Sequence, residues 1–371
     1  LISERLIKSV VCTAPTCRAA LSAAPLLDII DETSLRCPRC HSGYRVNAHG
    51  YLDLMPPQEG LHTSLYVSHE AEFAETLDYR RISMPLLGAG VRQRAIRGML
   101  RPGKEDRLIE LGCGNGKFVF WNRRQVDWVV GIDPSPLFAQ EALQTVDLCR
   151  ADARALPFED GAFTIAMSID VLEHLPLPDI ESYLREAHRV LAPGGRALIF
   201  SNTREPSRLD FIVRGARILS RWLGDKGIID DRRDRLRKSD HVKAIETYPE
   251  LERVLAECGF QVEKVVFWNG LFQSVIENLV IKLGESLMRK ISADRGKGSV
   301  PAGGKARPDH DAVRSSMRGR LARKGLTYRA MAFLTELMWL DLALFGGWRA
   351  GPYFLLARRS SLGPDSRGGV G

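Results

Sequence analysis

Gly112, Gly114 and Gly116 alternate in the segment Leu108-Ile-Glu-Leu-Gly-Cys-Gly-Asn-Gly-Lys-Phe118, after an apolar run that reads as a strand and before residues that read as a helix. Glycine lacks a β-carbon and tolerates positive φ, so this spacing suits a tight turn whose backbone approaches a ligand closely. A nucleotide-like cofactor is implied. The dinucleotide fingerprint G-x-G-x-x-G would need a glycine where Lys117 stands, so that pattern fails by one residue. A second constellation lies near the N-terminus, where Cys12-x4-Cys17 and Cys37-Pro-Arg-Cys40 hold four of the seven cysteines. Two thiol pairs on two turns suit tetrahedral zinc, with Cys12, Cys17, Cys37 and Cys40 as ligands. The first pair is wider than the usual C-x2-C, which leaves His41 and His49 as reserve ligands. A disulfide pair, or a degenerate ribbon that no longer holds metal, are the alternatives.

These groups need elements to position them. Trp128-Val-Val-Gly-Ile-Asp133 reads as a second buried strand ending in an acid, about where Rossmann-type folds place the carboxylate that bonds ribose hydroxyls. Asp133 also precedes Pro134 and suits a turn, and both roles can hold together. The glycine spacing, with Glu110 two residues ahead of it, resembles motif I of the class I S-adenosylmethionine-dependent methyltransferases. Leu148–Phe163 and Thr164–Leu175 resemble the adenine-contact and fourth-strand regions of the type 11 members of that family, and Val190–Phe200 resembles the helix-turn-strand that closes its core.

The resemblance covers roughly residues 100 to 202. It implies an α/β, Rossmann-like seven-stranded sheet with the last strand antiparallel, and S-adenosyl-L-methionine as cofactor. It also implies cofactor-binding roles for Glu110, Gly112, Gly114, Gly116, Asp133, Asp152 and Ala153. Asp152 would accept the adenine amine, or cap the turn before Pro157. His174, after the fourth strand and beside Glu173, is the candidate general base for an acceptor that must lose a proton; structural packing is the other reading. The segment ending in Gly50-Tyr-Leu-Asp-Leu-Met-Pro-Pro57 resembles the zinc-ribbon ends that precede some methyltransferase domains, including ribosomal RNA guanine-N1 methyltransferases.

The chain of 371 residues is long enough for about two domains, and its 44% hydrophobic and 26% charged residues are ordinary globular values. A zinc-ribbon-like unit is expected over 1–58 and a helical lid over 59–100, where Tyr79, Arg80 and Arg81 could reach cofactor or substrate. The methyltransferase core is expected over 101–268, with an insertion at about 203–243 whose Asp230–Lys238 run suits a solvated flap. A further insertion at 269–350 combines a Gly/Ser/Lys/Arg-rich linker (Ala293–Arg320) with an apolar helix over Met331–Trp348. The final strand is expected over 351–360 and a disordered tail over 361–371.

The net charge of +8 is moderate and interspersed with acids, so it permits but does not require nucleic acid or anionic lipid as a partner. Leu1-Ile-Ser-Glu-Arg-Leu lacks the marks of a signal peptide, which makes the cytoplasm the expected compartment. Glu336 and Asp341 interrupt the apolar run, which is too short to span a bilayer. The residues favour a small-molecule, lipophilic acceptor such as a lipid, quinone or natural-product intermediate, with peripheral contact at the inner membrane surface left open. An RNA methyltransferase is the weaker alternative, because no aromatic-and-basic recognition signature is present. A non-catalytic scaffold is a third class. The acceptor atom and the oligomeric state are not legible.

Overall fold

Near-continuous apolar runs predict strands covered on both faces, and the strands at the centre of the molecule have that character. The computed structural model describes residues 2–19, 23–55, 81–206, 210–229, 242–287, 321 and 325–360. Tyr79, Arg80, the Asp230–Lys238 run, the Ala293–Arg320 linker and the tail over 361–371 lie outside the described residues.

Seven core strands follow in order: β5 (Arg107–Leu111), β6 (Trp128–Asp133), β7 (Asp147–Arg150), β8 (Phe163–Ile169), β9 (Leu191–Glu205), β10 (Phe260–Phe267) and β11 (Gly351–Arg359). Four short strands precede them: β1 (Asp28–Asp31), β2 (Ser34–Arg36), β3 (Gly43–Val46) and β4 (Leu52–Asp53). The longer helices are α1 (Leu87–Leu100), α2 (Lys117–Asn122), α3 (Leu177–Val190), α4 (Asp210–Asp225), α5 (Tyr248–Glu257), α6 (Leu271–Val275) and α7 (Leu326–Phe345).

The core strands lie in the order β7-β6-β5-β8-β9-β11-β10. The first five are mutually parallel, and β11 runs antiparallel to both β9 and β10. This is the class I methyltransferase sheet that the motifs imply, with strand order reversing between β5 and β8. In open sheets of this kind the ligand crevice lies at the carboxyl ends of the strands beside the reversal.

The cysteine-bearing segment is not a separate bead. Strand β4 pairs in parallel with β7 through Leu52 and Cys149, so β1 to β4 extend the core into one eleven-stranded sheet. Leu6, Val10, Leu35, Leu52 and Leu54 share a single buried cluster with Ile109, Trp128, Val130 and Phe163 of the core. The Ser3 hydroxyl donates to Asp147, which also accepts the Trp128 indole N–H at 2.7 Å.

On the opposite flank, α7 packs against α1 and α6. Its acid Asp341 is fully buried, where an unpaired charge would be costly. The Asp341 carboxylate accepts the Phe272 and Gln273 amides, both at 3.1 Å, and so caps the start of α6. No described helix is long and apolar enough to cross a membrane.

Candidate active site and cysteine cluster

The chain turns sharply after β5 because Gly112, Gly114 and Gly116 take φ values of 76°, 54° and 81°. Only glycine holds this region without strain. A β-carbon on Gly112 would also stand 2.5 Å from Val171 Cγ2, so the loop is packed from below by the segment after β8. The Glu110 carboxylate is buried and accepts the Val119 amide of α2 at 3.1 Å. Burial raises its pKa, with Lys117 opposing the shift. Glu110 thus props the loop against the helix from beneath.

Asp133 ends β6 beside this loop. Its Oδ2 accepts the Gly114 amide at 2.8 Å and its Oδ1 accepts the Ser135 amide at 2.9 Å. Burial pushes its pKa up to about 6, against the lowering effect of those two amides and of the nearby His174. His174 closes the short 3-10 turn Leu172–His174 after β8, near enough to Asp133 to act on its charge. The Ser135 hydroxyl is buried and has no hydrogen-bond partner. A carboxylate and an idle hydroxyl therefore adjoin three glycines at the carboxyl edge. That donor and acceptor set fits the ribose of an adenosyl ligand.

Asp152 has different company. Arg154 grips its carboxylate through Nε and NH2, at 3.1 and 2.8 Å, and the Arg154 amide donates to Oδ1 at 2.9 Å. Arg154 also donates to Asp179 at 2.7 Å. Asp152 thus accepts an amide of its own turn, and Ala153 lies partly buried against the core beside it.

Arg92, Asp170 and Ser135 are candidate site residues to which the sequence reading gave no individual role. Arg92 reaches from α1 to within 3.4 Å of Asp170, its guanidinium 4.9 Å from the Phe200 ring and 5.6 Å from Trp268. Asp170 itself takes φ 58° at the end of β8. Arg92, Asp170, Phe200 and Trp268 come from α1, β9 and the residues that follow β8 and β10, and the two rings are fully buried beneath the Arg92 guanidinium. Of the three, only Ser135 had a local signal: the Asp-Pro-Ser run suits an Asx turn.

The four N-terminal cysteines converge. Their sulfurs lie within 4.8 Å of one another, with Cys12 Sγ 3.6 Å from Cys40 Sγ and Cys17 Sγ 3.7 Å from Cys37 Sγ. A tetrahedral ion with metal–sulfur bonds of about 2.3 Å has edges of about 3.8 Å, so the spacing fits. The Arg39 and Cys40 amides point at Cys37 Sγ and the Ala14 amide at Cys12 Sγ, each at 3.4 Å, an arrangement that supports thiolates. Neither His41 nor His49 joins the group.

The cluster braces the core strip that carries Asp152. The Val11 amide donates to Pro157 O at 3.0 Å and the Leu54 amide to Arg150 O at 2.8 Å. Asp53 pairs with Arg150 at 3.1 Å. Arg18 pairs with Glu186, whose carboxylate also takes the Leu156 amide at 2.7 Å.

Residues 109–199 match a methyltransferase domain. That match runs from β5 into β9 and includes the glycine loop, Asp133 and His174. The chain is similar to the ubiquinone biosynthesis O-methyltransferase of Ruegeria pomeroyi, with 30% identity over 133 residues, 34% of this chain and 53% of the relative. It is also similar to the protein of the same name from Azorhizobium caulinodans, with 29% identity over 33% of this chain and 51% of the relative. The chain spans about half the length of the curated relatives it matches. Among solved structures, the Haemonchus contortus phosphoethanolamine N-methyltransferase 2 in complex with S-adenosyl-L-methionine aligns at TM-score 0.44 and 15% identity, over 81% of this chain and 59% of that one.

Proposed function

We propose that this chain is an S-adenosylmethionine-dependent methyltransferase acting on a small, lipophilic acceptor, with a structural zinc ion held by Cys12, Cys17, Cys37 and Cys40. The observation that carries the reading is the Asp133 carboxylate, fixed by the Gly114 amide beside the partnerless Ser135 hydroxyl at the strand-order reversal. Asp133 and Ser135 would hold the ribose, and the backbone of Gly112 to Gly116 would admit the rest of the adenosyl group. In this reading Glu110 props the loop, and Asp152 with Ala153 shapes the adenine side. The bound cofactor supplies a methyl group made electrophilic by its sulfonium, so the protein's task is alignment.

For an acceptor hydroxyl, His174 would take the proton at its imidazole nitrogen as the oxygen attacks. The relatives are O-methyltransferases by name, which supports an oxygen acceptor. Arg92, held beside Asp170, would attract an anionic oxygen on an otherwise apolar acceptor. His174→Ala is expected to keep cofactor affinity within about twofold while turnover falls by a factor of about 10² to 10⁴. Near-normal turnover on the native acceptor would remove His174 from the reaction.

The acceptor class is tested by incubating the protein and methyl-labelled S-adenosylmethionine with a total cell extract, then separating it into lipid, aqueous and RNA fractions. The label should appear in one compound of the lipid fraction. Label confined to RNA would replace the acceptor assignment.

A further inference from the structure

A carboxylate that only closes its own turn needs a single amide. Asp152 has that contact, from the Arg154 amide to Oδ1, and the Asx turn is complete with it. The Arg154 side chain adds a second and stronger hold. Its Nε lies 3.1 Å from both oxygens of Asp152 and its Nη2 lies 2.8 Å from Oδ2, the fork of a guanidinium on a carboxylate. The Arg154 and Asp152 side chains are only 19% and 12% exposed, so water competes little for the pair.

Arg154 is itself anchored. Its Nη1 donates to Asp179 at 2.7 Å, and Asp179 stands in the first turn of α3, where the helix dipole favours an acid. The strip that carries Asp152 is also tied to the ribose side of the crevice, because the Ala151 amide donates to Asp133 O at 3.2 Å. An ionised carboxylate offers about four lone-pair sites. The Arg154 amide, its shared Nε and its Nη2 together place three N–H groups on them. One acceptor site is left, on a group that cannot turn.

We infer that Arg154 is a positioning residue that makes Asp152 the reader of the cofactor's base. The fork, anchored on Asp179, holds the remaining acceptor site for the exocyclic amine of adenine and so rejects a base that carries a carbonyl oxygen in that place. A carboxylate free to rotate would turn away from such an oxygen at little cost. One that is held must stay facing it, with neither group able to donate, and sites built around a ligand's hydrogen bond discriminate strongly in this way. The inference rests on the S-adenosylmethionine reading above and adds to it the device that selects the base.

The test compares S-adenosylhomocysteine with S-inosylhomocysteine, in which a carbonyl oxygen replaces the amine, by titration calorimetry of the full chain. The ratio of the two Kd values is the readout, since a general loosening of the site weakens both ligands alike. The parent is expected to prefer the adenosyl ligand by about 100-fold or more. Arg154→Gln should lower that ratio by about tenfold, the effect of one hydrogen bond to a charged group. Arg154→Lys should lower it as much, because lysine keeps the charge without the fork. Asp179→Asn leaves Asp152 and Arg154 in place and should lower the ratio by about threefold, as the anchor of the fork weakens from charged to neutral.

A ratio near one in the parent, or a parent-like ratio in Arg154→Gln, would overturn the inference. A ratio lost in Arg154→Gln and kept in Arg154→Lys would do so too, since charge without orientation would then suffice. If neither Arg154 variant folds, Asp179→Asn decides, and a parent-like ratio there overturns the anchored fork. Any of these results with tight binding of S-adenosylhomocysteine by the parent would leave the methyltransferase reading standing. A parent that binds neither ligand would remove both.

Discussion

Asp133→Ala is expected to weaken S-adenosylmethionine binding by a factor of about 100 or more, measured by titration calorimetry. Two losses combine. The carboxylate that would accept the ribose hydroxyls disappears, and hydrogen bonds to a charged group contribute about 1.5–3 kcal/mol each. The Gly114 amide, held at 2.8 Å, also loses its anchor, so the loop no longer presents one fixed backbone. Asp133→Asn keeps one oxygen acceptor and should lose less. An affinity unchanged in Asp133→Ala would remove the ribose assignment.

The same carboxylate gives a pH signature. Burial raises its pKa to about 6. A carboxyl group whose folded pKa lies above its unfolded value binds more protons when folded. Its contribution to stability is therefore present at low pH and is lost as pH rises between roughly 4 and 6. Ribose hydroxyls favour the ionised form, so the affinity for S-adenosylmethionine should rise as pH increases through about 6, with proton release on binding below that pH. That pH dependence should vanish in Asp133→Asn.

Removal of metal from the cysteine cluster is the second large effect. Structural zinc contributes roughly 10 kcal/mol or more of apparent folding free energy where its site does not pre-exist in the unfolded chain. Here the ribbon is also part of the main sheet, through Leu52 and Cys149, and of the shared core. Chelation, or Cys37→Ser, should therefore lower the melting temperature by more than about 10 °C. It should also weaken S-adenosylmethionine binding, because the Val11 and Leu54 amides would release Pro157 and Arg150 on either side of Asp152. Metal analysis of protein never exposed to chelator should give one zinc per chain. A ratio near zero in stably folded protein would dispose of the zinc assignment.

Much of the core was legible because its signals are local. Continuous apolar runs marked β5, β6 and β8, the glycine spacing marked the loop, and the antiparallel last strand that the resemblance implies is β11 (Gly351–Arg359). The cysteine group was legible for the same reason, since its pairs sit on short turns.

What escaped depends on contacts distant in sequence. Strand β4 has two residues, too few to show a period, yet its pairing with β7 joins the ribbon to the core sheet. Arg92 reads as one more cation on a helix until Asp170, Phe200 and Trp268 close around it, 78 to 176 positions along the chain. Asp152 suits an adenine partner by position, and its pairing with Arg154 two residues away was not legible beforehand.

The central claim is that the crevice beside Gly114 and Asp133 receives the adenosyl group. A crystal structure of the chain with S-adenosylhomocysteine tests it most directly. The account requires density along Gly112 to Gly116 with the ribose hydroxyls on the Asp133 carboxylate. Side chains filling that crevice at saturating ligand, with no density beside Gly114, would contradict it.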